Sequence, residues 1–338
     1  MVDICIIGES WGEAEERERR PFVGASGYEL TKMLSEAGID RASCFLTNVF
    51  NLRPPGNRME ALCGPKSSAL PGYPALTGSK HIRAEFAPEL LRLGDELIAI
   101  NPNIVICLGN TALWAMLGKA AISKLRGTTD TSTHTASGFK VLPTYHPAAV
   151  LRQWELRPTV VLDLMKAARE SAFPELRRPH REIWIEPTLE DLHEFERRFL
   201  QPPCQIAVDI ETAGNQITCI GFARGGEVAI VIPFLDTRRA NRCYWGDLAV
   251  ERDVWGYIKR VLSNKSISKV FQNGLYDIAF LWRSYGVEVM GAEEDTMLLH
   301  HALQPEALKG LGFLGSIYSD EGAWKHMRVK HETIKVDE

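Results

Sequence analysis

The chain has 338 residues, enough for two domains that each bury a core. Its 45% hydrophobic and 24% charged residues place it in the globular class, and no apolar run approaches the roughly 18 residues a membrane helix needs. A net charge of −4 excludes a protein that coats nucleic acid broadly, while leaving room for local basic grooves such as Arg53 with Arg58 or Arg177-Arg178 with Arg181. The seven cysteines form no Cys-x-x-Cys pair and several lie in apolar runs, so reduced core thiols in a cytoplasmic protein are expected. The N-terminus has no charged leader followed by an apolar segment.

Residues 3–8 read as a buried strand ending in a turn, and 27–37 carry apolar residues at helical spacing before a stop at Gly38. A second strand covers 44–50, a long Pro-, Gly- and Ser-rich loop 58–80, and an amphipathic helix 90–100. A third strand, 103–109, precedes a helix over 112–117, and a fourth over 140–147 leads into a turn. Strands alternating with helices predict a parallel sheet covered on both faces, with its site at the carboxyl ends of the strands. Those ends carry Gly8-Glu9, Asn48, Gly109 and His146. An Asn amide offers a donor and an acceptor to a pyrimidine edge, and a His can donate to a developing oxyanion. Phe22 could stack on a flipped base, and Glu9 or Glu15 could position water for attack on a sugar carbon. Spacing alone leaves open a plainer assignment, Phe22 in the core and His146 as a helix cap.

Residues 171–183 are polar and proline-broken, hence a linker. A short strand over 183–185 and a helix capped by Thr188 follow. The next strand, 204–212, has an aliphatic run that predicts burial on both faces, interrupted near its end by Asp209 and Glu211. Residues two apart share a face, and two like charges side by side are costly unless cations sit between them. Mg²⁺ and Mn²⁺ prefer carboxylate oxygens, so the strand end is a candidate two-metal phosphodiester site. The competing reading is an edge strand with two solvated acids. Strands over 217–223 and 228–232 flank glycines, as in a hairpin, and are followed by a helix over 253–262. A strand over 268–273 and a helix from 277 complete a ribonuclease-H-like pattern. Asp277 falls in the first turn of that helix, where the dipole favours a carboxylate in any case.

Six blocks occur in order in the first half: Gly8-Glu9-Ser10-Trp11-Gly12, Arg20-Pro21-Phe22-Val23-Gly24, Leu46-Thr47-Asn48-Val49, Arg53-Pro54-Pro55-Gly56-Asn57-Arg58, Leu108-Gly109-Asn110-Thr111-Ala112 and Tyr145-His146-Pro147-Ala148. The series resembles the uracil-DNA glycosylase superfamily, nearest its family 4 type, over residues 3–165. The resemblance implies a three-layer α/β/α domain over 1–170. In it Phe22 stacks on the extruded base, Asn48 reads its edge and His146 steadies the departing base anion. Glu9 and Glu15 stand where the family has its functional acids, and Asn57 near a second polar contact. Two departures matter. Family 4 enzymes hold an iron–sulphur cluster on four cysteines, one just before the Arg-Pro-Pro block; Leu52 stands there, so no iron–sulphur cluster is expected. Trp11 replaces a usual proline, which reshapes the turn beside the acid. Uracil excision, another base, or DNA binding alone therefore remain open.

In the second half, Asp209-Ile210-Glu211, the run 271–277, Glu294-Asp295-Thr296-Met297-Leu298 and Leu308-Lys309-Gly310-Leu311-Gly312 resemble the 3′–5′ proofreading exonuclease domain of family A DNA polymerases. The resemblance implies Asp209, Glu211 and Asp277 as ligands of Mg²⁺ or Mn²⁺, Asp295 as a further acid in the same cleft, and Asn273 shaping the single-strand groove. That type also needs a fourth acid in a later Tyr-x-x-x-Asp or His-x-x-x-Asp. Here Tyr318 leads to Gly322, His326 to Lys330, and 325–338 is hydrophilic, so an incomplete exonuclease domain over 184–338 is expected. Some phage DNA polymerases share this domain order. The leading expectation is the N-terminal part of such a polymerase, in the host cytoplasm, acting on a single-stranded 3′ end or primer-template, with a polymerase domain or subunit encoded downstream and no membrane. The alternatives are a base-excision enzyme with a DNA-binding exonuclease-like half, and a non-catalytic clamp on modified DNA held by Phe22 and arginines.

Overall fold

The computed structural model describes residues 2–178, 180–319 and 321, which fall into two compact units. The first runs to residue 178 and takes in the last described helix from Gly312 on; the second spans the residues between. The expected pairs Tyr318–Gly322 and His326–Lys330 and the stretch 325–338 lie wholly or partly outside the described residues.

The first unit runs β1 (Ile4–Ser10), α1 (Glu13–Glu18), α2 (Ala25–Glu36), β2 (Phe45–Phe50), β3 (Cys63–Gly64), β4 (His81–Ile82), α3 (Ala87–Ile100), β5 (Ile104–Leu108), α4 (Gly109–Leu117), α5 (Ile122–Leu125), β6 (Asp130–Thr131), β7 (Lys140–Thr144), α6 (Pro147–Arg152) and α7 (Arg157–Glu170). The sheet order is β2-β1-β5-β7-β6, parallel except for the short edge strand β6. Strands β5 and β7 are buried throughout, as a parallel sheet covered on both faces requires. Alternation splits β1 between two cores: Cys5 and Ile7 face α4, while Ile4 and Ile6 face Leu30, Met33, Val160 and Leu164. Burial pushes the Cys5 and Cys107 thiols well above their ordinary range, which leaves them unreactive apolar filler. Leu52 packs against the same core.

Two segments are more ordered than their composition suggests. The 58–80 loop is a loop as expected but an anchored one: 3₁₀ turns at Met59–Leu62 and Lys66–Ser68 flank the two-residue strand β3, which pairs with β4, and Leu62, Leu70 and Leu76 are buried. Nor is the whole of 171–183 a free linker. The buried Lys140 ammonium donates to the carbonyls of Glu170, Phe173 and Glu175 and pairs with the Glu170 carboxylate at 3.1 Å, so it pins the start of that segment. A buried cation must find oxygens, and these are the ones it has found.

The second unit runs β8 (Glu182–Trp184), α8 (Leu189–Phe199), β9 (Cys204–Ala213), β10 (Gln216–Arg224), β11 (Val228–Pro233), α9 (Leu248–Ser263), β12 (Ile267–Phe271), α10 (Leu275–Tyr285), β13 (Ala292–Asp295) and α11 (Thr296–Leu303). Strand order is β13-β12-β9-β10-β11-β8; β9, β10 and β11 form the antiparallel meander and β12 joins β9 in parallel. Thr188 and Asp191 form a reciprocal capping box that starts α8. β9 is not buried on both faces as its aliphatic run suggested. It alternates: Val208 and Ile210 enter a core with Tyr257, Ile258 and Leu281, while Ala207, Asp209 and Glu211 lie on the exposed face. Helix α12 (Leu311–Tyr318) ends the described chain. Among the described residues no helix is long and apolar enough to cross a membrane.

Candidate functional site

At the carboxyl ends of β1, β2, β5 and β7 the first unit opens a cavity of 420 Å³. Its lining includes Glu9, Trp11, Glu15, Phe22, Asn48, Asn57, Asn110, Tyr145, His146 and Arg152, so the residues singled out in this half all meet there. Tyr145, Asn110 and Arg152 were not singled out by sequence. Asn110 and Tyr145 stand inside two of the blocks quoted above but were given no role there, and Arg152 carried no signal. The backbone is shaped for close approach. A Cβ on Gly8 would lie 2.2 Å from Asn48 Oδ1 and 2.5 Å from the Phe22 ring, so only glycine lets both side chains enter. A Cβ on Gly27 would lie 1.8 Å from the Phe22 carbonyl, which also accepts a 2.9 Å bond from Arg41. Phe22 itself sits at φ +56°, a conformation costly for a bulky residue and held by these neighbours. Its ring is 5% exposed and lies 6.2 Å from the His146 ring.

His146 is a helix cap and a cavity residue at once. Its Nδ1 accepts the Ala148 N–H at 3.1 Å, so Nδ1 carries no proton and Nε2 is the donor of a neutral ring. Burial, with the Arg152 charge adding to it, lowers His146 from 6.5 to about 4. The unfolded chain takes up this proton near pH 6.5 and the folded chain only near 4, so folding stability should fall as pH drops through that window. His146→Gln should flatten that part of the pH–stability curve, as read by thermal unfolding.

The two acids differ in their surroundings. Glu15 accepts the backbone N–H groups of Gly12, Val23 and Gly24 at 3.1, 3.1 and 2.9 Å, which makes it a clasp for the loop that carries Phe22. Glu9 is held by the Thr111 hydroxyl through one oxygen, and burial raises its carboxyl despite that bond. Asn48 is 3% exposed, and Arg92 fixes its carbonyl at 2.8 Å. Asn57 has φ +59° at the cavity edge.

In the second unit, Asp209 and Glu211 share the exposed face of β9, and Asp277 begins α10. The Asp277 carboxylate accepts the Ile210 N–H at 3.1 Å, in the strand that carries the other two acids. It is 7% exposed. Burial first, and the charges of Asp209 and Asp295 after it, raise its carboxyl to about 6. Acids that repel one another in a partly desolvated place have raised carboxyls. Hard oxygen donors suit Mg²⁺ or Mn²⁺. Among the described residues no three His, Cys, Asp or Glu side chains are gathered closely enough to hold one ion. The Asp277 contact to the Ile210 N–H places it beside the strand whose exposed face carries Asp209 and Glu211.

Asp295, grouped with those acids by resemblance, has a different observed setting. It caps α11 through Met297 and Leu298, and accepts the N–H groups of Asn273 and Gly274 at 3.1 and 2.7 Å. Burial acts to raise its carboxyl, but these backbone donors outweigh it and leave it low. Asp295 thus fixes the turn in which Asn273 takes φ +60° and Gly274 lies so close to Phe271 that a Cβ would stand 2.3 Å from it. Tyr276 closes the arrangement with a 2.9 Å hydroxyl contact to Thr212.

The fold is a parallel-sheet α/β domain with a cavity at its strand ends, followed by a second α/β domain of ribonuclease-H-like pattern. Residues 1–176 match the Uracil DNA glycosylase superfamily model and residues 184–323 the 3′-5′ exonuclease model, and the chain belongs to the uracil DNA glycosylase superfamily. A Type-4 uracil-DNA glycosylase of Thermotoga maritima is 35% identical over 168 residues, covering 48% of this chain and 75% of that protein. A DNA polymerase of Bacillus phage SP01 is 23% identical over 321 residues, or 88% of this chain; the chain spans 32% of that polymerase. Among solved structures, the EXD2 exonuclease domain soaked in Mn is 16% identical, with a TM-score of 0.28 over 36% of this chain and 58% of that one.

Proposed function

We propose that this chain is the N-terminal part of a phage-type DNA polymerase. Its domain from residue 184 trims the 3′ end of single-stranded DNA, and its domain over 1–170 holds a base drawn out of the strand. The observation that carries the nuclease reading is the Asp277 carboxyl, buried against β9 and repelled by Asp209. Asp209, Glu211 and Asp277 are the groups to hold divalent cations, which would supply charge neutralisation at the scissile phosphate and an activated water. The chain's own residues do the positioning. Asp295 locks the Asn273–Gly274 turn at the entrance to α10, and Tyr276 ties that helix to the end of β9. Incubating a single-stranded oligonucleotide with Mg²⁺ or Mn²⁺ should release mononucleotides only weakly, since the fourth acid of this exonuclease type has no counterpart four places after Tyr318 or His326. Asp209→Ala should abolish the release; unaltered cleavage by that variant would remove the assignment.

A second reading, base excision by the first unit, is favoured by the neutral His146. With Nδ1 occupied by the Ala148 N–H, Nε2–H is a donor poised for a base carbonyl that gains negative charge. Glu9, with its raised carboxyl, suits water positioning better than Glu15, whose oxygens are committed to backbone. On this reading a uracil-containing oligonucleotide gives an alkali-labile abasic site without metal, and His146→Ala suppresses it. Binding without turnover in both assays would favour a non-catalytic reader of modified DNA.

A further inference from the structure

The strand end that bears His146 is braced from below by a buried polar cluster. Thr144, two residues before His146, donates through its hydroxyl to Asp163 Oδ2 at 2.6 Å. Arg126 clasps the same carboxylate, its Nε 2.8 Å from Oδ2 and its Nη2 on Oδ1. The next residue, Gly127, donates to the Pro143 carbonyl of β7 at 2.8 Å; a Cβ there would lie 2.5 Å from Asp163 Oδ1. The third donor of Arg126, Nη1, is taken by the hydroxyl of Ser316 in α12 at 2.9 Å. Lys166 then fastens that helix, donating to the carbonyls of Ser316 and Ser319 at 3.2 and 2.7 Å and to Gly127 at 2.9 Å. The Phe313 ring covers the Arg126 guanidinium at 5.1 Å. All these side chains lie in the first unit, yet residues 312–319 fall outside the 1–176 stretch that matches the glycosylase superfamily.

We infer that Ser316 and Arg126 are positioning residues for His146, so that the base cavity takes its working shape only when the helix lying far downstream in sequence is seated. The inference rests on the reading of this cavity as a base pocket. The physical ground is that a buried guanidinium held at all three of its nitrogens has one place to sit, and Asp163, Thr144 and the β7 end follow it. Removing the Ser316 hydroxyl leaves a buried N–H without an acceptor, and the fork must shift or recruit another oxygen. Tyr145, between Thr144 and His146, lines the cavity and feels the charges of both Arg126 and Asp163.

The test uses the full chain with ¹⁵N-labelled histidine, the His146 ring signals being assigned from His146→Gln. Affinity for a single-stranded oligonucleotide carrying one uracil is measured without metal. Ser316→Ala should move the His146 signals and weaken that affinity about tenfold, while leaving His193 unchanged; Ser316→Thr, which keeps the hydroxyl, should restore both. If Ser316→Ala proves too unstable, Arg126→Lys keeps the charge, loses the fork and should give the same displacement. A lowered melting temperature with unmoved His146 signals and unchanged affinity would overturn the inference, leaving α12 as packing alone. Moved His146 signals in a protein that never binds the oligonucleotide would support the positioning and remove the base-pocket reading instead.

Discussion

Asp277→Asn should reduce metal-dependent release of mononucleotides by about 10³-fold while raising the melting temperature of the metal-free protein. The two effects share one cause. Asp277 is buried, and its carboxyl is raised from 3.8 to about 6 by burial first and by the Asp209 and Asp295 charges after it. The folded chain therefore holds this proton more tightly than the unfolded chain. Stability is gained at low pH and lost as pH rises from 3.8 through about 6, so at neutral pH the ionised group costs folding energy. An Asn removes the charge and keeps Oδ1 as acceptor for the Ile210 N–H. The expected gain is about 1–2 kcal/mol after allowance for solvent relaxation around a site open on one side. Added Mg²⁺ should stabilise the unaltered protein more than the variant. A variant that keeps its cleavage rate, or melts lower at neutral pH, would contradict the role given to Asp277.

What the sequence carried and what it did not divide along physical lines. The parallel sheet was readable because β1, β5 and β7 are short apolar runs with turn signals at their ends, and that pattern has few other homes. The cavity residues were readable for the same reason: a parallel sheet sends its strand ends to one edge, so Glu9, Asn48 and His146 had to meet. The face of β9 was misjudged because Ala207 is small enough to sit on either side of a sheet, and an aliphatic run does not by itself show alternation. Asp295 could be placed in a cleft but not seen as a cap, since its partners Asn273 and Gly274 lie two strands' connection away in sequence. Nor could the lysines be read. Lys140 and Lys166 have the residue type of a solvated surface, and only the fold reveals that carbonyls converge on them. Local pattern reports which face is apolar; it does not report which polar groups are sealed in later.

The buried pair below His146 gives the other large expectation. Arg126→Met should destabilise the protein by about 3–5 kcal/mol, because it takes the direct ion-pair partner from Asp163 in the interior and leaves only the Thr144 hydroxyl and the Lys166 charge to offset it. Arg126 is 4% exposed and Asp163 1%, so water cannot replace the lost partner. Burial already raises the Asp163 carboxyl against the opposing pulls of Arg126, Thr144 and Lys166. With the guanidinium gone the carboxyl rises further and takes up a proton nearer neutrality. The sign follows: the folded variant binds the proton more tightly than the unfolded one, so its stability should increase as pH is lowered toward 5, more steeply than that of the parent chain. The double variant Arg126→Met with Asp163→Leu removes both charges and should recover most of the loss, since burying matched apolar groups costs little compared with stranding an ion. Chemical denaturation of the four proteins closes the cycle. A single variant as stable as the parent, or a double variant no better than the single, would mean that the pair bears no charge-specific weight and that the brace under the cavity is shape alone.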